Sequence, residues 1–349
     1  MFDKQTVLIL GAGASCHYGY PTGEELVERI IERTKDVEYE VEKDVAKKNR
    51  LSPPSHQDRR SCDLGLYAEY VNLLGELRQL LESLHPLNID SFLLYNERYA
   101  PLAKTLIADI LLECNVEKPT KDKNWYRYLF HALTYGCKVD AQDTAKRMNI
   151  EQSIGNLTII TFNYDTSLER HLRKAFQSVQ AFKDLKDEND PMNLIKGKIY
   201  HVYGKLADED FYDLSPEQQK AKRSDIVRAS AKNIDVIAGK KHQELRDDCQ
   251  STLQKLDNVI KQGGRLVILG YGFDPENNKL IGLTPPTGGY ILHQTDPSLR
   301  FSYTNFRDSQ RIERKFAPNK QNQALKEPWR FEKSTKTVAE ALQQDFDLT

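Results

Sequence analysis

The chain has 349 residues, a length that suits one large domain or two small ones. Its 50 Lys and Arg residues are balanced by 51 Asp and Glu residues. The chain therefore lacks the excess of positive charge that is typical of proteins that bind nucleic acids or anionic membrane surfaces. No apolar run approaches the ~18 residues of a membrane span, and the first residues do not resemble a signal peptide, so we expect a cytoplasmic protein without a membrane partner.

The cysteines are scattered and include no C-x-x-C pair. This spacing argues against a disulfide framework and against a four-cysteine zinc site, so we expect no metal. The five positions are Cys16, Cys62, Cys114, Cys137 and Cys249.

The first predicted element is a buried strand at Thr6–Leu10, an unbroken apolar run. A glycine turn, Gly11-Ala12-Gly13-Ala14-Ser15, follows at once, and a helix begins near Pro21, where Thr22 and Glu25 have the spacing of a capping box. Strand, glycine turn and helix in this order are typical of dinucleotide binding. The alternative is a tight turn in any α/β domain, because Cys16 stands where the third glycine of the dinucleotide motif belongs.

About 145 residues separate this strand from the next one, far more than an ordinary crossover needs. Leucines and other apolar residues recur there at helical spacing in Leu66–Leu84, Pro101–Cys114 and Asn124–Cys137, with a loop predicted at Ser52–His56. We therefore predict an inserted helical subdomain at about 40–150.

Three further buried strands are predicted at Leu157–Phe162, Lys198–Tyr203 and Arg265–Gly270, and weaker ones at Gly289–Leu292 and Leu299–Tyr303. A second helical insertion is predicted at 208–261. The fold class is then α/β, a Rossmann-like parallel sheet with helices on both faces. We expect one domain over 1–316, with a strand and a helix in 317–349 packed on it.

Polar residues and glycines follow the predicted strands. In open α/β sheets ligands bind outside the carboxyl ends of the strands, so these groups are expected to meet at one crevice. They are Thr161, Asn163 and Asp165 after the second strand, His201 and Gly204 at the third, and Gly270, Gly272 and Phe273 after the fourth.

The glycine turn at 11–15, the Thr-x-Asn-x-Asp segment at 161–165, the His201-x-x-Gly204 segment and the Gly-Tyr-Gly-Phe segment at 270–273 occur in this order. Together they resemble the sirtuin-like family, in particular its bacterial branch of NAD-consuming defence effectors. The resemblance extends from residue 6 to about residue 315. It implies that Asn163 holds the nicotinamide ribose or the attacking water, that Asp165 orients the nicotinamide end, and that His201 is the general base. The residues that it implies for NAD binding are Gly11, Ala12, Gly13, Ala14, Ser15, Thr161, Gly204, Gly270, Gly272 and Phe273.

The resemblance implies an NAD hydrolase that releases nicotinamide and ADP-ribose and depletes NAD during phage infection. Such an activity needs control, so we expect a homo-oligomer or a controlling partner, such as a motor ATPase or a phage-sensing protein. An NAD-dependent deacylase is disfavoured because the paired zinc cysteines of that branch are missing. A non-catalytic module that binds NAD or ADP-ribose is the remaining alternative.

Structural roles stay open for the same residues. Asn163 and Asp165 could cap the helix predicted from Thr166, and a histidine within a strand is often a buried core residue. The defence branch often has His-x-His-Gly where this chain has Tyr203 in place of the second histidine.

Overall fold

The structure is a computed structural model, and it describes residues 2–50, 57–114, 120–135, 144–179, 191–207, 211–235, 250–283, 299–304, 306, 331–345 and 348. The loop predicted at 52–56, the strand predicted at 289–292 and the boundary placed at 316 lie outside these residues. Within them, no helix is both long and apolar enough to cross a membrane.

Six strands are described, and five of the predicted runs match the first five to within two residues at either end. The strands are β1 Thr6–Leu10, β2 Leu157–Thr161, β3 Ile199–His201, β4 Gly264–Leu269, β5 Leu299–Thr304 and β6 Phe331–Ser334.

The α-helices are numbered here in chain order within the described residues. The first six are α1 Gly23–Arg50, α2 Gln57–Leu84, α3 Ile89–Tyr95, α4 Ala100–Glu113, α5 Tyr126–Thr134 and α6 Thr144–Asn156. The others are α7 Ser167–Ser178, α8 Pro191–Lys196, α9 Pro216–Asn233, α10 Gln250–Gln262, α11 Pro275–Leu280 and α12 Val338–Gln344.

The six strands form one parallel sheet in the order β3-β2-β1-β4-β5-β6. Every residue of β1 and β2 is buried. Since successive side chains of a strand point to opposite faces, both faces of the sheet are covered there. The strand order is that of the Rossmann fold, and the predicted fold class is confirmed.

The strand order reverses between β1 and β4, and this reversal places the site. Leu10 is level with Thr161 of β2 and with Leu269 of β4, and Thr161 is level with His201 of β3. The four strands therefore end at one edge of the sheet, where ligands of such folds bind. The segments singled out in the sequence all leave the sheet at this edge.

Helices α1–α6 lie between β1 and β2, and α1 begins as predicted. The Thr22 amide donates to Glu25 at 2.8 Å and the Glu25 amide donates to the Thr22 hydroxyl at 3.3 Å, which is a capping box.

Helix α9 of the second insertion packs against α4 of the first. Arg223 of α9 reaches Asp109 of α4 at 2.7 Å and Glu113 at 2.8 Å, and Arg33 of α1 reaches Asp109 at 2.9 Å. The two helical insertions are therefore in direct contact with each other.

Candidate functional site

Two cavities lie at the carboxyl edge of the sheet. The outer cavity, of about 400 Å³, borders the turns after β1 and β4 and includes Gly11, Gly13, Gly270 and Gly272 in its wall. The inner cavity, of about 70 Å³, borders the segment after β2. Six residues line both, so the two cavities share a wall: Ala12, Thr22, Gly23, Asn88, Asp90 and Phe162. We call the pair the cleft.

The glycines after β1 and β4 allow these two turns to approach each other closely. A Cβ atom on Gly11 would lie 2.6 Å from the Gly270 carbonyl oxygen, and one on Gly13 would lie 2.9 Å from the same atom. Gly270 has a φ of +60°, a conformation that side chains disfavour. The Gly11 amide donates to the Leu269 carbonyl at 3.1 Å and the Gly13 amide donates to the Gly270 carbonyl at 3.0 Å. The sequence predicted close approach to a ligand, and the structure shows close approach to backbone.

Few backbone donors of the glycine turn remain for a pyrophosphate. Ala14 and Ser15 donate to the carbonyls of Gly11 and Ala12 within the turn, at 2.9 Å and 3.0 Å. Of the five amides in 11–15, only that of Ala12 has no acceptor among the described residues. The N-terminus of α1, with Thr22 and Gly23 in the wall of both cavities, adds a favourable dipole for an anion.

The inner cavity has a fixed polar floor. Asn163 donates from Nδ2 to the Ser15 hydroxyl at 2.9 Å, and its own amide donates to the Thr161 hydroxyl at 3.1 Å. The Asn163 Oδ1 atom is buried and has no hydrogen-bond partner among the described residues. A buried acceptor without a donor is costly, and in a cavity wall it marks a place for a donor of a ligand.

Asp165 also lines the inner cavity, and it holds the start of α7. Its Oδ1 accepts from the Ser167 amide at 3.0 Å and from the Ser167 hydroxyl. Burial is the main cause of a raised pKa for this carboxyl. Of the capping alternative that the sequence left open, the hydrogen bond of Asp165 to the first residue of α7 is therefore present, while Thr166 is the N-cap residue.

His201 is buried beside the cleft and lines neither cavity. Its side chain is 7% exposed; Nε2 lies 2.8 Å from Oε1 of Glu169, and Nδ1 lies 2.8 Å from the backbone oxygen of Asn163. Lys205 reaches the same carboxylate at 3.2 Å. Sequence analysis assigned no role to Glu169, which follows Asp165 by one helical turn.

Both ring nitrogens of His201 have protein partners. Burial alone would raise the pKa of Glu169, but the charge and hydrogen bond of His201, together with Lys205, outweigh it and lower this pKa to about 2. The Asn163 backbone oxygen can only accept, so it occupies one ring nitrogen, and the Glu169 carboxylate occupies the other. This geometry does not support His201 as the general base and makes it a residue that positions Asn163.

The side chain that reaches the cleft from the end of β3 is Tyr203. Its hydroxyl donates to Asn277 of α11, and its ring contacts Phe162 with centroids 5.6 Å apart. Phe162 in turn stacks on Tyr271 at 5.0 Å. These three rings form an aromatic wall of the outer cavity.

Helix α3 contributes an acidic residue to the cleft. Asp90, in its first turn, lines both cavities and accepts a hydrogen bond from the Tyr164 hydroxyl. Burial raises the pKa of Asp90 to about 7, and the charge of Asp274 adds to this, while the Tyr164 hydrogen bond opposes it.

Asp274 fastens α3 to the turn after β4. Its Oδ2 accepts from Asn88 and from Ser91, each at 3.2 Å, while its Oδ1 accepts from the amides of Glu276 and Asn277. The sequence placed α3 in the helical insertion without assigning it to the site. The Asn88 cap, which accepts from the Ser91 amide at 2.7 Å, is the local signal that predicts where this helix begins.

Eight of the residues predicted for the site line the cleft, and five do not. Those that line it are Gly11, Ala12, Gly13, Ser15, Asn163, Asp165, Gly270 and Gly272. Those that do not are Ala14, Thr161, His201, Gly204 and Phe273.

The packing of three residues that do not line the cleft shows what they contact instead. Phe273 is fully buried, at 5.1 Å from Tyr271 and 5.9 Å from Tyr303 between ring centroids, so its side chain packs in the core and does not line the cleft. A Cβ atom on Gly204 would lie 1.9 Å from the backbone oxygen of Asn233, so this glycine serves the approach of α9. The Ala14 carbonyl accepts from the Trp125 indole at 2.7 Å.

Cys16, next to the glycine turn, is not an activated thiol. Burial raises its pKa to about 11, and Glu25 and Asp165 add to the shift. A thiol with this pKa stays protonated near neutral pH and is a poor nucleophile, in line with the packing role that the sequence favoured.

No protein-family model matches the chain, and a search of curated proteins finds no significantly similar sequence. The function is therefore argued from the cleft itself.

Proposed function

We propose that the protein hydrolyses the bond between nicotinamide and ribose in NAD+, giving nicotinamide and ADP-ribose, and that it binds NAD+ in the cleft. The observation that carries the proposal is the unpartnered Oδ1 of Asn163 in the inner cavity, next to an outer cavity built over glycine turns. The first provides a fixed acceptor at one end, and the second provides the Ala12 amide and the N-terminus of α1 for a pyrophosphate.

The polarity of the cleft supports this orientation. The outer cavity has the aromatic wall and the glycine turns, which suit the adenosine and diphosphate of a dinucleotide. The inner cavity, with Ser15, Asn163 and Asp165, suits the nicotinamide end. The bond to be broken then lies near the shared wall. Its cleavage develops positive charge on the ribose, which dipoles such as the Asn163 amide stabilise.

We expect Asn163→Ala to reduce nicotinamide release by about 10²–10³-fold, as removal of one preorganised dipole does in other enzymes. The change deletes both the unpartnered acceptor and the hydrogen bond to Ser15. The rate is measured by chromatography of nicotinamide released from NAD+ by the purified full chain. Asn258→Ala, on the exposed side of α10, is the matched control and should keep full activity.

Equal activity of Asn163→Ala and the wild type would contradict the proposed role of the cleft. A folded Asn163→Ala protein is recognised by an unchanged circular-dichroism spectrum, so that loss of activity and loss of fold are separated.

A second candidate function is a non-catalytic module that binds NAD or ADP-ribose. The observation that favours it is the state of His201, whose two nitrogens are both engaged, while Tyr203 reaches the cleft instead. An increase of melting temperature with NAD, without nicotinamide release at any protein concentration, would support this candidate over the hydrolase.

The proposal includes the biological setting that the resemblance implies, namely NAD depletion in anti-phage defence, controlled by self-assembly or by a partner protein. Specific activity measured against protein concentration, with mass from light scattering, tests the control. Full activity in a strictly monomeric state would contradict it.

A further inference from the structure

We propose that Asp90 is the general base of the hydrolysis and takes the proton of the water that attacks the nicotinamide ribose. This inference rests on the proposed function, since it assigns a residue to that reaction.

The position of Asp90 carries the inference. Six residues line both cavities, and Asp90 is the one ionisable side chain among them. With the nicotinamide in the inner cavity and the diphosphate over the glycine turns, the ribose carbon that reacts lies at this shared wall. His201, the base implied by the resemblance, lines neither cavity, and both of its ring nitrogens are engaged by protein groups.

The hydrogen bonds of Asp90 fix its orientation and leave it able to accept. Within the described residues, the Tyr164 hydroxyl is the one side chain that hydrogen-bonds to Asp90, and it engages Oδ1. The other oxygen is thus not held by a protein side chain there. Asn88 and Ser91, on either side of Asp90, are fastened to Asp274, so the first turn of α3 is held in place at the cleft.

The chemical step balances with this assignment. The bond between the ribose carbon C1′ and the nicotinamide nitrogen breaks, and its electron pair stays on the nitrogen, so nicotinamide leaves as a neutral molecule without an acid. Water forms the new bond to C1′ and gives one proton to the Asp90 carboxylate, which later releases it to solvent. No oxidant, metal or further reactant is needed.

The surroundings of Asp90 suit a base that works near neutral pH. The charged and titratable groups facing it are Tyr164 after β2, Tyr203 after β3 and Asp274 before α11. No Lys or Arg occurs among the described residues that line either cavity. Burial and the neighbouring carboxylate hold the pKa of Asp90 at about 7, where a general base is most effective.

The test compares Asp90→Asn, Asp90→Glu and Tyr164→Phe with the wild type in nicotinamide release from NAD+ over a range of pH. Asp90→Asn should lose about 10²–10⁴-fold in kcat, the usual effect of removing a general base, while the melting shift caused by NAD persists. Asp90→Glu should regain part of the activity. Wild-type kcat/KM should fall as the pH decreases through about 7, and we call this decrease the acid limb of the pH profile. The residual activity of Asp90→Asn should show no acid limb.

Tyr164→Phe tests whether Asp90 titrates during the reaction, because a purely structural Asp90 would leave the pH profile of activity unchanged. Because the Tyr164 hydrogen bond lowers the pKa of Asp90, its loss should shift the acid limb to higher pH. Asp257→Asn, an exposed carboxylate on α10, is the control and should match the wild type.

Failure of the Asp90 assignment and failure of the proposed hydrolase would give different results. Nicotinamide release by Asp90→Asn at the wild-type rate, or an acid limb that neither variant moves, would overturn the assignment of Asp90 and leave the proposed hydrolase intact. No release by the wild type at any pH would overturn the hydrolase and the Asp90 assignment together.

Discussion

His201→Ala should lower the free energy of unfolding by about 3 kcal/mol, in addition to any effect on activity, because it removes one partner of the buried Glu169 carboxylate. The Glu169 side chain is 2% exposed, and the variant would leave its carboxylate with Lys205 as the remaining cation. The value is at the lower end of the usual 3–5 kcal/mol because Lys205 still pairs. Urea unfolding followed by circular dichroism measures it.

Glu169→Gln should cost about as much, since it removes the carboxylate that His201 and Lys205 share. The double variant His201→Ala with Glu169→Gln leaves no unpaired carboxylate at position 169, so it should be less destabilised than the sum of the two single variants. A cost below about 1 kcal/mol for both single variants would show that the pair does not hold this part of the fold.

The contribution of Glu169 to stability should depend on pH with a definite sign. Folding lowers its pKa from 4.5 to about 2, so the folded state favours the ionised carboxyl. The stabilisation is complete above the unfolded-state pKa and is lost as the pH falls towards 2. The difference in unfolding free energy between the wild type and Glu169→Gln should therefore decrease below pH 4.5.

Gly270→Ala should be among the most destabilising single changes in the chain, by more than about 3 kcal/mol. The new Cβ atom would lie 2.2 Å from the Ala14 nitrogen and 2.4 Å from the Gly13 carbonyl carbon, and these backbone atoms cannot rotate away as a side chain can. The positive φ of Gly270 alone costs a side chain about 1–2 kcal/mol. Thermal unfolding of the two proteins measures the effect.

Gly272→Ala is the matched control for stability. A Cβ atom at Gly272 meets nothing within 4 Å, so the change should leave stability within about 0.5 kcal/mol of the wild type. Because Gly272 lines the outer cavity, the same variant should weaken the melting shift caused by NAD. Similar stabilities for Gly270→Ala and Gly272→Ala would contradict the close contact between the two turns.

The strands were the most predictable part of this fold. Runs such as Thr6–Leu10 and Leu157–Thr161 are apolar without interruption, because both faces of a central parallel strand are buried. The capping box at Thr22 and Glu25 likewise predicts the start of α1 from local chemistry alone.

The function of individual residues at the cleft was less predictable. In β3 and the turn after it, His201 and Tyr203 are two positions apart, and the sequence does not show that the chain turns between them and sends only Tyr203 into the cleft. Asp90 lies in a helical insertion about 70 residues before Asn163, so only the tertiary fold brings it to the site. A glycine in a sequence indicates that the backbone approaches another group closely, but it does not show whether that group is a ligand or another part of the backbone.

The position of β1 between β2 and β4 also has a consequence for synthesis. Leu10 pairs with Leu269, so the floor of the cleft joins segments about 260 residues apart. A ribosome adding about 5–20 residues per second makes these segments tens of seconds apart. Until β4 emerges, the turn after β1 has no opposing turn, and no cleft exists. A nascent chain therefore has no formed cleft until β4 has been made.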